Sequence, residues 1–167
     1  AFKLTNTTDS TVTVKKVLFS LSAVTGILQG DFSNLYICVD TDNDGTKDPG
    51  ETTAVGGLGA ANAGVTDITF SDDFNIAANT TVNYIMTGDV SDLLENDTVT
   101  IDLGTSNVTI TAGHVGGSAP TSATHTSDAA CDYSSWRQIT IDNTKVSGTA
   151  DLTNFPLLVS LSGDWLK

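Results

Sequence analysis

The residues best placed to do chemistry fall in one dozen: Asp40-Thr41-Asp42-Asn43-Asp44-Gly45-Thr46-Lys47-Asp48-Pro49-Gly50-Glu51. Acids occupy positions 1, 3, 5, 9 and 12 of this run, and Gly45 occupies position 6. That is the spacing of a twelve-residue calcium loop. Alternate carboxylates converge as such a chain curls, and a glycine permits the sharp reversal without a Cβ clash. On this reading Asp40, Asp42 and Asp44 are ligands, and Thr46 offers its backbone carbonyl. Asp48 coordinates directly or through water, and Glu51 closes the shell with two oxygens. Calcium takes six to eight hard oxygen ligands, which the loop can supply. The plainer alternative is a solvated acidic turn, because Asp, Asn and Gly are turn residues anyway. No helix–loop–helix frame is expected. Residues 35–39 read as a strand entering the loop, and Pro49-Gly50 opposes a regular helix leaving it. The loop therefore reads as a structural clamp and not as a sensor that opens on binding.

Other reactive residues are sparse. A second acidic cluster, Asp89, Asp92, Glu95 and Asp97, lacks a reversing glycine at the needed place. Asp72 and Asp73 read as turn residues. Cys38 and Cys131 are the only cysteines, and in a secreted chain they are expected to form a disulfide. The alternative is two unrelated thiols, or Cys38 packed as a small hydrophobe. His114 and His125 lie in a Gly/Ser/Thr-rich stretch and read as surface side chains. No Gly-x-Ser-x-Gly elbow, phosphate loop or His-Glu-x-x-His occurs. The expectation is a protein that is not an enzyme.

The elements that must position the loop follow from composition. The chain has 167 residues, of which 27 are Thr and 15 are Gly. Thr, Val and Ile are stiff at χ1 and suit a pleated sheet, while Gly, Asn and Asp supply turns. An all-β fold is expected, an immunoglobulin-like or jelly-roll β-sandwich carrying a C-terminal strand-forming extension. The net charge is −13, with only 7 basic residues. Nothing could neutralise a phosphate backbone, so nucleic acid is not an expected partner. An anionic membrane surface is disfavoured for the same reason. No apolar run approaches the length that spans a bilayer. The chain begins at Ala1 with no basic segment or apolar h-region, and reads as already processed or as numbered from after a removed signal. The polar composition, rich in Thr, Ser and Asn and poor in Lys, reads as extracellular or cell-surface. Sequons stand at Asn6, Asn79, Asn96 and Asn107.

Period-two patterning gives strands over 2–8 and 11–21, with a phase change at Lys15-Lys16 that predicts a β-bulge or a bend. Residues 35–39 form a core strand, and 53–55 at most a short edge strand. Val65, Ile68 and Phe70 start another strand, which Phe74 and Ile76 follow beyond a turn at 71–73. Further strands fall at 81–87 and 98–103. A single helical turn is expected around Leu93-Leu94. Residues 104–107 read as a hairpin turn, with Val108 and Ile110 on the returning strand. The sandwich domain spans 1–112, a Gly/Ser/Thr-rich linker spans 113–135, and a strand extension spans 136–167. The extension carries Ile139, Ile141, Phe155, Leu157, Leu158 and Val159. Two strand-like segments cannot bury a core by themselves. They dock in their own sandwich, or in a neighbouring subunit, or they open a second, incomplete domain. Trp136 and Trp165 flank them as anchors, or as platforms for sugar rings.

Two resemblances extend this reading. Val17-Leu18-Phe19-Ser20-Leu21-Ser22, the run from Gly26 to Leu35, the acids Asp40 to Asp44, Thr80-Thr81-Val82-Asn83-Tyr84 and Gly88-Asp89-Val90 resemble a β-sandwich module of large secreted and surface proteins of bacteria and archaea. Trp136-Arg137, Ile139-Thr140-Ile141-Asp142-Asn143, Val146 and Leu152-Thr153-Asn154-Phe155-Pro156-Leu157-Leu158-Val159 are similar to the opening strands of an uncharacterised domain of such surface proteins. The resemblance implies an exported, modular, surface-associated protein and no catalytic residue. The function expected is a calcium-stabilised structural subunit of an extracellular filament, pilus or surface layer. It would be a homo-oligomer or homopolymer linked by strand complementation through residues 136–167. The alternative is a carbohydrate- or surface-binding module of a larger adhesin or secreted enzyme.

Overall fold

A computed structural model describes residues 1–128. The expectations for Cys131, Trp136, Trp165 and the 136–167 extension therefore lie outside the described residues. Eleven strands make up the fold: β1 Phe2–Asn6, β2 Val12–Thr25, β3 Phe32–Val39, β4 Ala54–Val55, β5 Ala60–Ala61, β6 Asp67–Phe70, β7 Phe74–Ile76, β8 Thr80–Val90, β9 Thr98–Asp102, β10 Val108–Ile110 and β11 Ala123–Thr126. They form two packed antiparallel sheets, a β-sandwich. The first sheet runs β1-β8-β3-β4, and the second runs β11-β9-β2-β6-β5 with β7 and β10 also paired to β2. Among the described residues no helix is long and apolar enough to cross a membrane.

β2 organises the second sheet. On one side Val17 to Ser20 pair with β6, and Val12 to Val14 pair with β7. On the other side Ser20 to Thr25 pair with β9, and Val14 to Val17 pair with β10. Each flank is thus one strand path interrupted by an excursion, at 71–73 and at 103–107. The bulge expected at Lys15-Lys16 is present. Val14 and Val17 are buried, both lysines are exposed, and the register to β10 slips between Thr109 and Ile110. The extra residue returns Val17, Phe19 and Leu21 to the core face, where Val14 already lies.

The core joins the sheets through aromatic rings. Phe2 stacks on Tyr84 at 5.4 Å between centroids and meets Phe19 edge-on at 5.6 Å. Phe19 meets Phe70 at 5.9 Å, and Phe74 meets Tyr84 at 5.8 Å. Phe2 and Tyr84 come from the first sheet and the other three from the second. Burial pushes the Tyr84 phenol up to about 12, so it stays neutral in the core.

Four local expectations are corrected. Residues 104–107 are not a hairpin turn, because β10 does not return along β9. The chain makes a short 3-10 turn at Thr105–Asn107 and rejoins β2 in the same direction. The commonest hairpin turns need positive φ, and Gly104 sits at φ −77. Asn107 instead donates from Nδ2 to Ser20 Oγ at 2.9 Å, which pins the excursion to β2. The stretch read as a linker contains β11, paired to β9. All four of its residues are exposed, so no apolar alternation marked it. Threonine pairs hold it, Thr100 with Thr124 at 2.8 Å and Thr98 with Thr126 at 3.3 Å. No helical turn forms around Leu93-Leu94. β8 runs on to Val90, and positive φ at Asp92 and Asn96 breaks any helix. Finally β3 begins at Phe32, where backbone pairing to β8 persists past a register slip between Ser33 and Tyr36.

Phe70 is fully buried and meets the Phe19 ring at one end of the run of ring contacts. Phe70→Ala is expected to cost about 3–5 kcal/mol in urea unfolding, the range for a large core truncation. Leu28, 69% exposed, should tolerate alanine within about 0.5 kcal/mol. Equal effects at the two positions would contradict this core.

Candidate metal centre

β3 carries the chain from the core into the acidic loop, and β4 receives it on the far side. Both ends are fastened. Val39 N donates to Thr53 O at 2.9 Å, and Asp40 N donates to Asn83 O of β8 at 3.0 Å. The first ligand position is therefore set by the first sheet.

Asp40 is 3% exposed. Its carboxylate accepts from Asn43 N at 2.7 Å and from Gly45 N at 3.2 Å. Asp42 accepts from Asp44 N at 3.2 Å, and Asp44 accepts from Thr46 N at 2.6 Å. These bonds curl the chain around its own acids. The curl requires left-handed backbone at Asn43, φ 60, and at Gly45, φ 79, residue types that tolerate it. One carboxylate oxygen from each of Asp40, Asp42 and Asp44 comes within 4.8 Å of the others. Three carboxylates this close repel one another, and a hard cation relieves that repulsion. The trio can coordinate a cation, which fits the chemistry of the donor set.

The remaining expected ligands occupy different places. Glu51 is buried and does not join the converging trio. It accepts from Thr41 N at 2.5 Å, Thr41 Oγ1 at 3.2 Å and Asp48 N at 3.2 Å. A carboxylate has about four acceptor sites, and three are used here. Glu51 thus acts as a strut that ties position 12 of the loop to positions 2 and 9. Donation from the Thr41 backbone, and then from Asp48, holds its pKa below the ordinary carboxylate value. Asp48 is shifted the other way. Partial loss of water raises its pKa first, and the charges of Asp44, Asp42 and Glu51 add to the rise. Thr46 lies within the curl, its N–H committed to Asp44. Lys47, the loop's single basic residue, donates to the Asp48 carbonyl at 3.1 Å.

Cys38 is buried on β3, two residues before Asp40, in register with Ala54 and Ile85. Its expected partner Cys131 is outside the described residues. The second acidic cluster does not converge among the described residues. Asp97 is buried and accepts from Leu94 N at 2.7 Å. Its carboxylate packs over Gly26, where a Cβ would lie 1.7 Å from Asp97 Oδ1. Asp89 accepts from Asn34 Nδ2 at 2.6 Å. Asp97 fastens a loop and Asp89 ties β8 to β3, roles that spacing could not reveal. His125 lies exposed on β11 and His114 is exposed beyond β10. No family model, curated protein or solved structure matches this chain.

Acid titration in a chelator separates the strut from the ligands. Glu51 has a folded pKa below its ordinary 4.5. Its stabilisation is complete above that value and fades as pH falls through the lower folded value. Glu51→Gln is expected to lower the urea midpoint of the metal-free protein at pH 7 and to flatten part of its acid limb. Asp48, with a raised pKa, has the opposite sign: Asp48→Asn should raise the metal-free midpoint at pH 7 slightly. An unchanged acid limb in Glu51→Gln would remove the strut.

Proposed function

We propose that the chain is a non-enzymatic structural subunit of an extracellular filament, pilus or surface layer. Calcium clamps its sandwich at residues 40–51, and strand complementation through residues 136–167 links its subunits. An immunoglobulin-like or jelly-roll sandwich belongs to the same reading. The observation that carries it is the convergence of Asp40, Asp42 and Asp44 in a loop fastened at both ends to strands of one sheet.

Calcium is favoured over magnesium by the donor set. Magnesium demands near-ideal octahedral geometry and gives up water reluctantly, whereas calcium accepts an irregular shell of carboxylates and carbonyls. The frame favours a clamp over a switch. The loop leaves β3 and enters β4, which pair with each other, so binding has no helix pair to open. A bound ion stabilises the folded state by mass action, about 2.7 kcal/mol when calcium exceeds its Kd a hundredfold. Such stabilisation is greatest where free calcium is high, as outside cells. The acidic, threonine-rich surface and the resemblance to secreted surface modules support the same setting.

Negative-stain electron microscopy of native material, with and without a chelator, tests the reading. Regular fibres that loosen or shed subunits on chelation are expected. Calcium should also raise the unfolding temperature, and Asp42→Asn with Asp44→Asn should weaken calcium binding at least tenfold by titration calorimetry. Dispersed monomers under both conditions would instead favour a binding module.

A further inference from the structure

The two sheets do not close evenly along both sides. On one side β1 is the outermost strand of the first sheet, and among the described residues it pairs only with β8. Opposite it, β11 covers the outer edge of β9 but stops short of β10, which among the described residues pairs only with β2. The second sheet is therefore half a strand short beside β10. Two cavities lie along this seam. The smaller, about 100 Å³, is lined by residues of the first positions of β1 and by β9 and β11. The larger, about 600 Å³, continues the seam along Lys3 to Thr8 to the β10 side. Its apolar floor is Leu4, Val12, Val14, Ile76, Val108 and Ile110, and the segment 112–118 that follows β10 forms its remaining wall, with Val115 against the core. Polar backbone on two unpaired edges, with an apolar floor between them, is the surface that accepts an added strand.

We propose that this seam between β1 and β10 is the acceptor groove for residues 154–161 of a second copy of the chain, a placement that rests on the filament reading. The chain continues 39 residues beyond Asp128, long enough to leave its own sandwich. Within it, Phe155, Leu157, Val159 and Leu161 recur at every second position, which places all four on one face of an extended strand. Asn154, Pro156 and Ser160 alternate with them, with Leu158 the one apolar exception. An apolar stripe of period two matches an apolar floor bounded by open edges. Pro156 removes one N–H from such a strand, which an edge position tolerates. A copy that used this segment in its own groove would be closed to the next copy, so polymerisation requires the donor to come from a neighbour.

The test uses the full chain carrying L157D together with V159D, which disables its own donor. A synthetic peptide of residues 152–163 is the probe. The variant is expected to keep the wild-type circular dichroism, to lose fibres, and to bind the peptide mole for mole. The peptide in excess should also cut wild-type assembly at least tenfold. Wild-type fibres that persist unchanged in the double variant would overturn the groove while leaving the filament reading intact. A folded double variant that does not bind the peptide would also overturn the groove. Wild-type chains that stay monomeric and refuse a peptide that the double variant binds would place the segment in its own chain, and the inference of a neighbouring donor would fail. Peptide binding by a wild-type chain that never forms fibres would keep the groove and defeat the filament reading.

Discussion

The second sheet depends on satisfying both edges of one fourteen-residue strand. β2 is too long for any single partner in this chain. Each of its edges is paired by two short segments, β6 with β7 and β9 with β10. Buried backbone groups must find partners, and this arrangement supplies them while letting the chain leave the sheet twice. The bulge at Lys15-Lys16 makes the arrangement possible. Without the extra residue, either Val14 or the run from Val17 onward would face solvent. The aromatic contacts then lock the first sheet onto the face that β2 presents.

The acidic loop is an opposing case, in which structure gathers groups that repel. The curl is held by short-range donation from backbone N–H groups to Asp40, Asp42 and Asp44. Those bonds point the same carboxylates toward one another. Glu51 offsets part of the strain by bridging Thr41 and Asp48, and its depressed pKa records that favourable contact. The raised pKa of Asp48 records partial loss of water first, and then the neighbouring charges of Asp44, Asp42 and Glu51. The two shifts run in opposite directions within one loop.

The seam between β1 and β10 follows from the same accounting of strands. β2 draws β9 and β10 to itself, and the chain after β10 departs before it returns as β11. That departure leaves the outer edges of β10 and β1 without a strand partner among the described residues. An unpaired edge over an apolar floor is an aggregation hazard unless something covers it. Linking β11 to β9 through threonine hydroxyls protects only the other half of the sheet.

The sequence by itself determined a good part of this protein. Alternating Val12, Val14, Val17, Phe19 and Leu21 identified the long strand and its bulge, because side-chain direction in a strand has a period of two. The acid spacing from Asp40 to Glu51 located the cluster of Asp40, Asp42 and Asp44 that could coordinate a cation, because the curl of such a loop is local to a dozen residues. The entry strand at 35–39 and the short edge strand near Ala54-Val55 were legible for the same local reasons. Tertiary structure decided the rest. A hairpin at 104–107 and a continued path along β2 look alike in sequence, and only the non-local partner distinguishes them. β11 carries no apolar pattern, since both its faces are wet and its bonds come from a strand over twenty residues away. Glu51 has the same residue type and spacing whether it ligates or braces. That its carboxylate meets the N–H groups of Thr41 and Asp48 follows from the closure of the loop between two paired strands.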